Sequence, residues 1–285
     1  MFRYPGGKHK LKDRVIKEIS KLSKDIDVEY REPFYGGGSI GNNFIVDKAD
    51  IPDMWGQKIK KIWVNDRDPG ISCIWTAVIR YAEALKQAVS AFTPSVENFH
   101  KFKEELIGHP DPIDFNDKEK VVHFALMKLG IHQTSYSGLG VKSGGPLGGG
   151  AQDSEYKIDC RWSVEYIHKN IDTYHRKYKF IDVRERACTC RDFEDLISAE
   201  GKCIIYADPP YYIKGDMLYQ FSFTTEDHER LSQLLRNTKH RWVLSYDDCD
   251  AVKRLYSWAT IEVLDANYTI AGSRDKTELL IYRRD

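Results

Sequence analysis

Short segments rich in apolar residues, ended by polar, glycine or proline residues, recur near both ends of the chain. The clearest is Cys203 to Ala207, which stops at Asp208 and two prolines. Such a run suits a parallel strand that is covered on both faces, and consecutive prolines cannot continue its hydrogen-bond ladder. We therefore predict a buried strand that ends at Asp208. Short segments that combine apolar with charged residues predict further strands at 28–34, 61–65, 184–190, 241–246, 260–264 and 278–282.

The middle of the chain has a different pattern, because its apolar residues recur at helical spacing. This spacing predicts helices at 71–91, 96–106, 121–129 and 162–174, whereas single helices begin near Val15, Ser39 and Thr225 among the strands. The pattern indicates an α/β domain made of 1–72 and 180–285, with a mostly helical lobe, 73–179, inserted between its two parts.

The residues that follow the strand at 203–207 carry the first candidate chemistry. In an open α/β sheet, ligands bind in the crevice beyond the carboxyl ends of the strands. There, the Asp208 carboxylate, the free carbonyl of Pro209 and the ring of Tyr211 suit a planar ligand that bears an amino group. The alternative is a turn stiffened by Pro209 and Pro210, in which Asp208 is only a cap.

Three motifs in this chain resemble those of a known enzyme family. Asp208-Pro209-Pro210-Tyr211 resembles the signature of S-adenosylmethionine-dependent amino methyltransferases, which methylate exocyclic amines of adenine or cytosine in DNA. Tyr4-Pro5-Gly6-Gly7-Lys8 and Glu32-Pro33-Phe34-Tyr35-Gly36-Gly37-Gly38-Ser39 resemble two further motifs of the DNA adenine methylase family. Their order is that of the alpha class, and the resemblance covers about 1–72 and 180–285.

The resemblance implies a mixed seven-stranded, Rossmann-like methyltransferase sheet and a target-recognition lobe at 73–179. It implies methyl transfer from S-adenosylmethionine to the 6-amino group of adenine in duplex DNA, after the base has been flipped out of the helix. Asp208 and the Pro209 carbonyl would accept the two amino hydrogens, next to Pro210, while Tyr211 packs on the base. The cofactor residues that it implies are Tyr4, Lys8, Phe34, Gly36, Gly38, Asp66, Asp192, Phe193 and Asp208.

The residue types at these cofactor positions can be explained by ligand binding, and for several of them by a structural role as well. Glycines at 36–38 allow close approach of a ligand, and without the Lys-Ser/Thr of a phosphate loop they fit S-adenosylmethionine better than ATP. Asp66 can bind ribose hydroxyls or cap the helix near Pro69. Asp192 can accept from the cofactor's adenine or cap a helix. Tyr4 stands where many family members have Trp, and Lys8 is expected near the methionine carboxylate. Both residues can also belong to a flexible basic terminus.

The charge distribution locates a candidate DNA surface. With 43 basic and 43 acidic residues, the chain does not coat nucleic acid by bulk charge. No Asp or Glu occurs from Lys120 to Gln152, so we predict that this acid-free segment faces DNA. Lys128 and Lys142 would contact phosphates, and Gln133, Ser135 and Tyr136 would reach base edges or fill the space left by a flipped base. The alternative is an idle surface loop.

Other features exclude several classes of protein. No apolar run approaches the ~20 residues needed to span a bilayer, and the six cysteines form no C-x-x-C pair. We therefore expect free thiols, no metal and no membrane, and double-stranded DNA as the partner of a cytoplasmic protein from a bacterium or phage. A restriction nuclease acting separately is compatible with this reading. Methylation of cytosine or RNA, and an idle DNA-binding protein of the same fold, stay open.

Overall fold

The architecture comes from a computed structural model that describes residues 2–5, 8, 11–23, 29–44, 61–108, 113–266 and 276–283. Seven strands within these ranges form one sheet in the order β3-β2-β1-β4-β5-β7-β6. The strands are β1 (Glu29–Glu32), β2 (Lys61–Val64), β3 (Asp182–Val183), β4 (Cys203–Ala207), β5 (Arg241–Asp247), β6 (Thr260–Ala266) and β7 (Lys276–Tyr282). Because β7 is antiparallel to both β5 and β6, the sheet is mixed, as predicted.

The uncharged strand β4 lies in the centre of the sheet, where it pairs in parallel with β1 and β5. All five of its residues are buried. This burial explains why the run carries no charge, and it confirms the prediction that the strand stops before Asp208. The carboxyl ends of β1, β2 and β4 consequently meet at the same edge of the sheet.

The predicted strand at 184–190 is wrong in its position. The structure has β3 at Asp182–Val183, followed by a 3-10 turn at Arg184–Arg186 and a single bridge between Thr189 and Asn65. Glu185 and Arg186 have positive φ angles of 56° and 54°. A left-handed backbone cannot continue a strand, so the ladder is interrupted at these two residues.

The helices flank the sheet and form the inserted lobe. They are α1 (Lys12–Leu22), α2 (Gly41–Phe44), α3 (Pro69–Arg80), α4 (Ala82–Ala91), α5 (Val96–Gly108), α6 (Lys118–Thr134), α7 (Val164–Tyr178), α8 (Phe193–Ser198), α9 (Gly215–Leu218), α10 (Thr225–Asn237) and α11 (Asp250–Leu255). The predicted helix at 71–91 is two helices, because the backbone leaves the helical region at Tyr81. Among the described helices, none is long and apolar enough to cross a membrane.

The helical lobe packs directly on the sheet domain. Helix α3 contacts both α6 and α7, and one apolar cluster joins Ile62 and Val64 of β2 to Trp75 of α3 and Phe99 of α5. The predicted boundary at 72/73 falls inside α3. We therefore keep 73–179 as a proposed target-recognition lobe and do not treat it as a unit that folds separately.

Parts of several predicted features lie outside the described residues. They are the turn at Gly6 and Gly7, the basic residues His9 and Lys10, the helix continuation at Ile45 and Val46, and the hairpin segment 267–274.

Candidate active site

A cleft of about 220 Å³ opens at the carboxyl edge of the sheet. The loops after β1 and β2 line it with residues 32–37 and 65–68, and the loop after β4 adds Asp208 and Pro210. Residues 191–193 and 218–223 complete the side formed by the α/β domain, whereas the helical lobe contributes Lys128, His132, Leu139 and Val141. The predicted loops are therefore brought together between the domain and the lobe.

The glycine loop after β1 is shaped by close contacts. Gly36 has a φ of +47°, and a Cβ added there would lie 2.6 Å from Cε1 of Tyr4. Its N–H donates to Oδ2 of Asp66 at 2.7 Å, while its carbonyl accepts from Nε1 of Trp75 at 2.8 Å. Gly38 also has a positive φ, but it packs on Asn42 and Trp75 and does not line the cleft. Gly36 and Tyr4 thus border the cleft, whereas Gly38 supports it from behind.

Asp66 is buried at the end of β2 and lines the cleft. Burial, and then the neighbouring Asp68, raise the pKa of Asp66 to about 7. Its Oδ1 accepts from the N–H of Asp68 at 2.9 Å, and Asp68 in turn caps α3 through Gly70 N at 2.9 Å. The helix cap considered for Asp66 therefore belongs to Asp68, which leaves Asp66 facing the cleft.

An aromatic group lines another part of the cleft. The rings of Phe34, Phe193 and Phe223 lie 5.2–5.6 Å from one another. Asp192 caps α8 through Glu194 N at 2.9 Å and pairs with Arg230 at 3.1 Å. The capping role of Asp192 is therefore real, and the same side chain also lines the cleft.

A buried charge network stands behind the Asp208 loop. Nζ of Lys8 lies 2.9 Å from Oδ1 of Asp208, 3.1 Å from Oε1 of Glu278 and 3.1 Å from the Tyr211 hydroxyl. The Tyr211 hydroxyl donates to the same Glu278 oxygen at 2.5 Å. Since an ammonium has three hydrogens, these contacts use all of them. The expectation that Lys8 meets the cofactor's carboxylate therefore needs correction, because Lys8 is directed at Asp208.

The network sets the charge of its members. Burial raises the pKa of Asp208 to about 6, although Lys8 lowers it, and Glu278 adds to the rise. Burial disfavours the charge on Lys8, but Asp208, Tyr211 and Glu278 together hold the pKa of Lys8 well above its ordinary value. At neutral pH the site therefore contains an ionised Asp208 that is paired with a protonated Lys8.

Two residues of this region were missed from the sequence. The sequence indicates Glu278 only as part of a strand, because its burial beside a lysine 270 positions away leaves no local signal. Tyr219 lines the cleft, whereas Tyr211, the predicted stacking ring, does not. The ring of Tyr211 lies under Nζ of Lys8 at 4.8 Å and meets the edge of Tyr219 at 6.4 Å. The sequence signal that could have indicated Tyr219 is the alternation of aromatic residues at Tyr219, Phe221 and Phe223, after the Asp208 loop.

The predicted DNA residues are only partly at the surface. Lys128 is 2% exposed, forms an ion pair with Asp68 and donates to Oε1 of Gln220 at 3.2 Å. Its prediction as a phosphate contact needs correction, because the face of α6 that carries Lys128 packs on α3, with Gly70 against the lysine chain. Gln133 and Ser135 are also buried. Tyr136, 72% exposed, and the exposed Lys142 remain accessible.

Within the ranges that the structure describes, no group of three or more His, Cys, Asp or Glu residues is placed to hold a metal ion. A family model described as D12 class N6 adenine-specific DNA methyltransferase matches residues 4–270. Among the residues that the structure describes, this span includes all those that line the cleft, but it ends before Glu278. No curated protein matches the chain.

Proposed function

Because the chain belongs to the D12 class N6 adenine-specific DNA methyltransferases, we propose that S-adenosylmethionine is its methyl donor and binds in the cleft. The chain is thus an enzyme that methylates adenine N6 in DNA. The observation that carries the cofactor proposal is the joining, in one cleft, of the aromatic group around Phe34, the buried carboxylate of Asp66 and the Asp208 loop.

The cleft residues suit the parts of this cofactor. Each carboxylate oxygen can accept two hydrogen bonds, and each oxygen of Asp66 receives one from the backbone, so Asp66 can still accept from ribose hydroxyls. Phe34 and Phe193 offer flat apolar surfaces for the adenine ring, and Asp192 is the candidate acceptor for its amino group. Gly36, where a Cβ would meet the ring of Tyr4, brings that ring and the loop backbone together at the border of the cleft, and we propose that both contact the cofactor.

When bound, the cofactor supplies an electrophilic methyl group on a sulfonium sulfur. The target amine is a poor nucleophile because its lone pair is conjugated with the purine. Lys8 engages Oδ1 of Asp208, so Oδ2 can accept one amino hydrogen while the carbonyl of Pro209 accepts the other. Pro210 keeps the loop rigid. Oδ2 of Asp208 would also take the proton that N6 loses when it is methylated.

The target base cannot be reached inside the duplex, so we propose that it is flipped into the cleft. Extrusion costs a few kcal/mol, and stacking on an aromatic ring returns about 1–3 kcal/mol. Tyr211 stays our candidate for the stacking ring, and Tyr219 joins it. Tyr136 and Lys142 are our candidates for DNA contact, and a restriction nuclease of the same target site is a compatible partner.

Calorimetry tests the cofactor proposal. We expect S-adenosylmethionine to bind the protein without metal, and Asp66→Ala to weaken that binding by about 10- to 100-fold, because hydrogen bonds to a charged group contribute about 1.5–3 kcal/mol. Asp172→Ala, which removes an exposed carboxylate of α7, should bind as the wild type does. A folded wild-type protein that binds ATP but not S-adenosylmethionine would contradict the proposal.

The decrease of kcat/KM at acidic pH gives a second test. The pKa of Asp208 is raised from its ordinary value to about 6, so its carboxylate is lost as the pH falls through about 6. We expect kcat/KM to decrease tenfold per pH unit below that point, because this ratio reports ionisations of the free enzyme. Asp66 titrates close to this pH range, and its effect on cofactor binding is measured separately as the dissociation constant of the cofactor at each pH. A decrease that begins near pH 4 would argue against Asp208 as the group.

A further inference from the structure

Two apolar side chains stand exposed in the segment that directly follows the catalytic loop. Ile213 is 65% exposed and Met217 is 69% exposed. Single exposed apolar residues are normal on protein surfaces, but two in one short segment beside a cleft point to something that covers them. We therefore expect a binding partner to cover Ile213 and Met217, and the location of these residues indicates what kind of partner it is.

The backbone holds the two residues in one short hydrogen-bonded segment. Hydrogen bonds from Gly215 N to Tyr211 O at 2.9 Å and from Tyr219 N to Gly215 O at 2.9 Å extend helical turns from 211 to 219. Helix α9 covers only Gly215–Leu218, so Met217 lies within it and Ile213 lies in the turn that precedes it. Asp247 accepts from Tyr212 N at 2.9 Å and from Ile213 N at 3.1 Å. The backbone at Ile213 is thus anchored to the end of β5.

This segment borders the mouth of the cleft. Leu218 and Tyr219, which follow Met217, both line the cleft. Gly215 lies against the catalytic loop, since a Cβ added there would be 3.5 Å from Cβ of Pro210. A base that reaches Asp208 must pass this rim. A protein partner bound here would close the cleft to its DNA, so the DNA itself is the occupant that the position favours.

We propose that Ile213 and Met217 form an apolar wedge that packs against the bases beside the extruded adenine. The inference rests on the proposed base flipping. Extrusion leaves a gap whose walls are the flat apolar faces of neighbouring bases, and inserted apolar side chains stabilise such unstacked steps. Lys214 and Asp216 are both exposed on this segment, and their charges cancel. The contact is therefore apolar and adds little salt dependence to DNA binding.

The test compares two duplexes, one with the target adenine paired to thymine and one with the same adenine opposite an abasic site. For Ile213→Ser/Met217→Ser we expect kcat/KM on the paired duplex to fall about tenfold or more, and kcat/KM on the abasic duplex to stay within about threefold, because extrusion is least costly for an unpaired base. Cofactor affinity should not change. Val263→Ser, which alters a 53% exposed residue on the edge strand β6, is the matched control.

A second readout is the fluorescence of 2-aminopurine at the target position, which rises when that base leaves the stack. The double variant should lower this rise on the paired duplex alone. Equal losses on both duplexes, or no loss on either, would reject the wedge. A wild-type protein that methylates neither duplex would reject the proposed function and the wedge together. A change from dimer to monomer with unchanged methylation would assign the segment to a second copy of the chain.

Discussion

Asp208→Ala is expected to fold and to lose methyl transfer to DNA by about 10³-fold, the size of effect found when a fixed polar group aimed at developing charge is removed. The N6 amine becomes more positive as it attacks, and the Asp208 carboxylate is the charged acceptor in the cleft next to Pro210. The variant keeps its fold because Lys8 retains Glu278 and Tyr211, at 3.1 Å each. The loss should therefore fall on kcat and not on stability.

Transfer of labelled methyl groups to duplex DNA, followed by nucleoside analysis, measures this loss. The wild type should yield N6-methyladenine, and Asp195→Ala, which removes an exposed carboxylate in the first turn of α8, should match it. Near-normal turnover by the Asp208 variant would contradict the mechanism. Methylcytosine as the product would contradict adenine as the acceptor.

The elements that the sequence predicts well are those whose cause is local. The strand β4 is recognisable because its five residues are uncharged and end at Asp208-Pro209-Pro210, and the loop after β1 because its glycines follow a strand. Both properties depend on neighbours in the chain. The same reasoning places Asp66, Phe193 and Asp208 around one cleft, since parallel strands end at one edge of a sheet.

The failures concern contacts between distant segments. An acid-free segment indicates where basic residues occur, but it does not indicate which side of α6 is buried, so Lys128 is predicted at the surface and lies against Asp68. The missed network has the same cause, because Lys8 and Glu278 are 270 positions apart. Their pairing depends on the antiparallel insertion of β7 between β5 and β6.

Lys8→Met should be the most destabilising substitution at this site. Lys8 stands between the carboxylates of Asp208 and Glu278, and removing one partner from a buried ion pair typically costs about 3–5 kcal/mol. The pKa of Asp208 should rise further, because Lys8 is the group that lowers it. Asp208 then becomes protonated at neutral pH, so methyl transfer should also be lost. Denaturant unfolding measures the first effect, and Lys17→Met, at an exposed position of α1, is the control.

The double variant Lys8→Met/Glu278→Gln separates the two roles of the lysine. Once Glu278 is neutral, Asp208 no longer faces a second buried carboxylate, so the double variant should be more stable than the sum of the single losses predicts, by about 1–3 kcal/mol. Methyl transfer should stay low, because Asp208 still lacks its cation. Strictly additive losses of stability would mean that Lys8 and Glu278 act independently. A double variant with restored turnover would mean that Lys8 serves only to neutralise Glu278 and that Asp208 works without it.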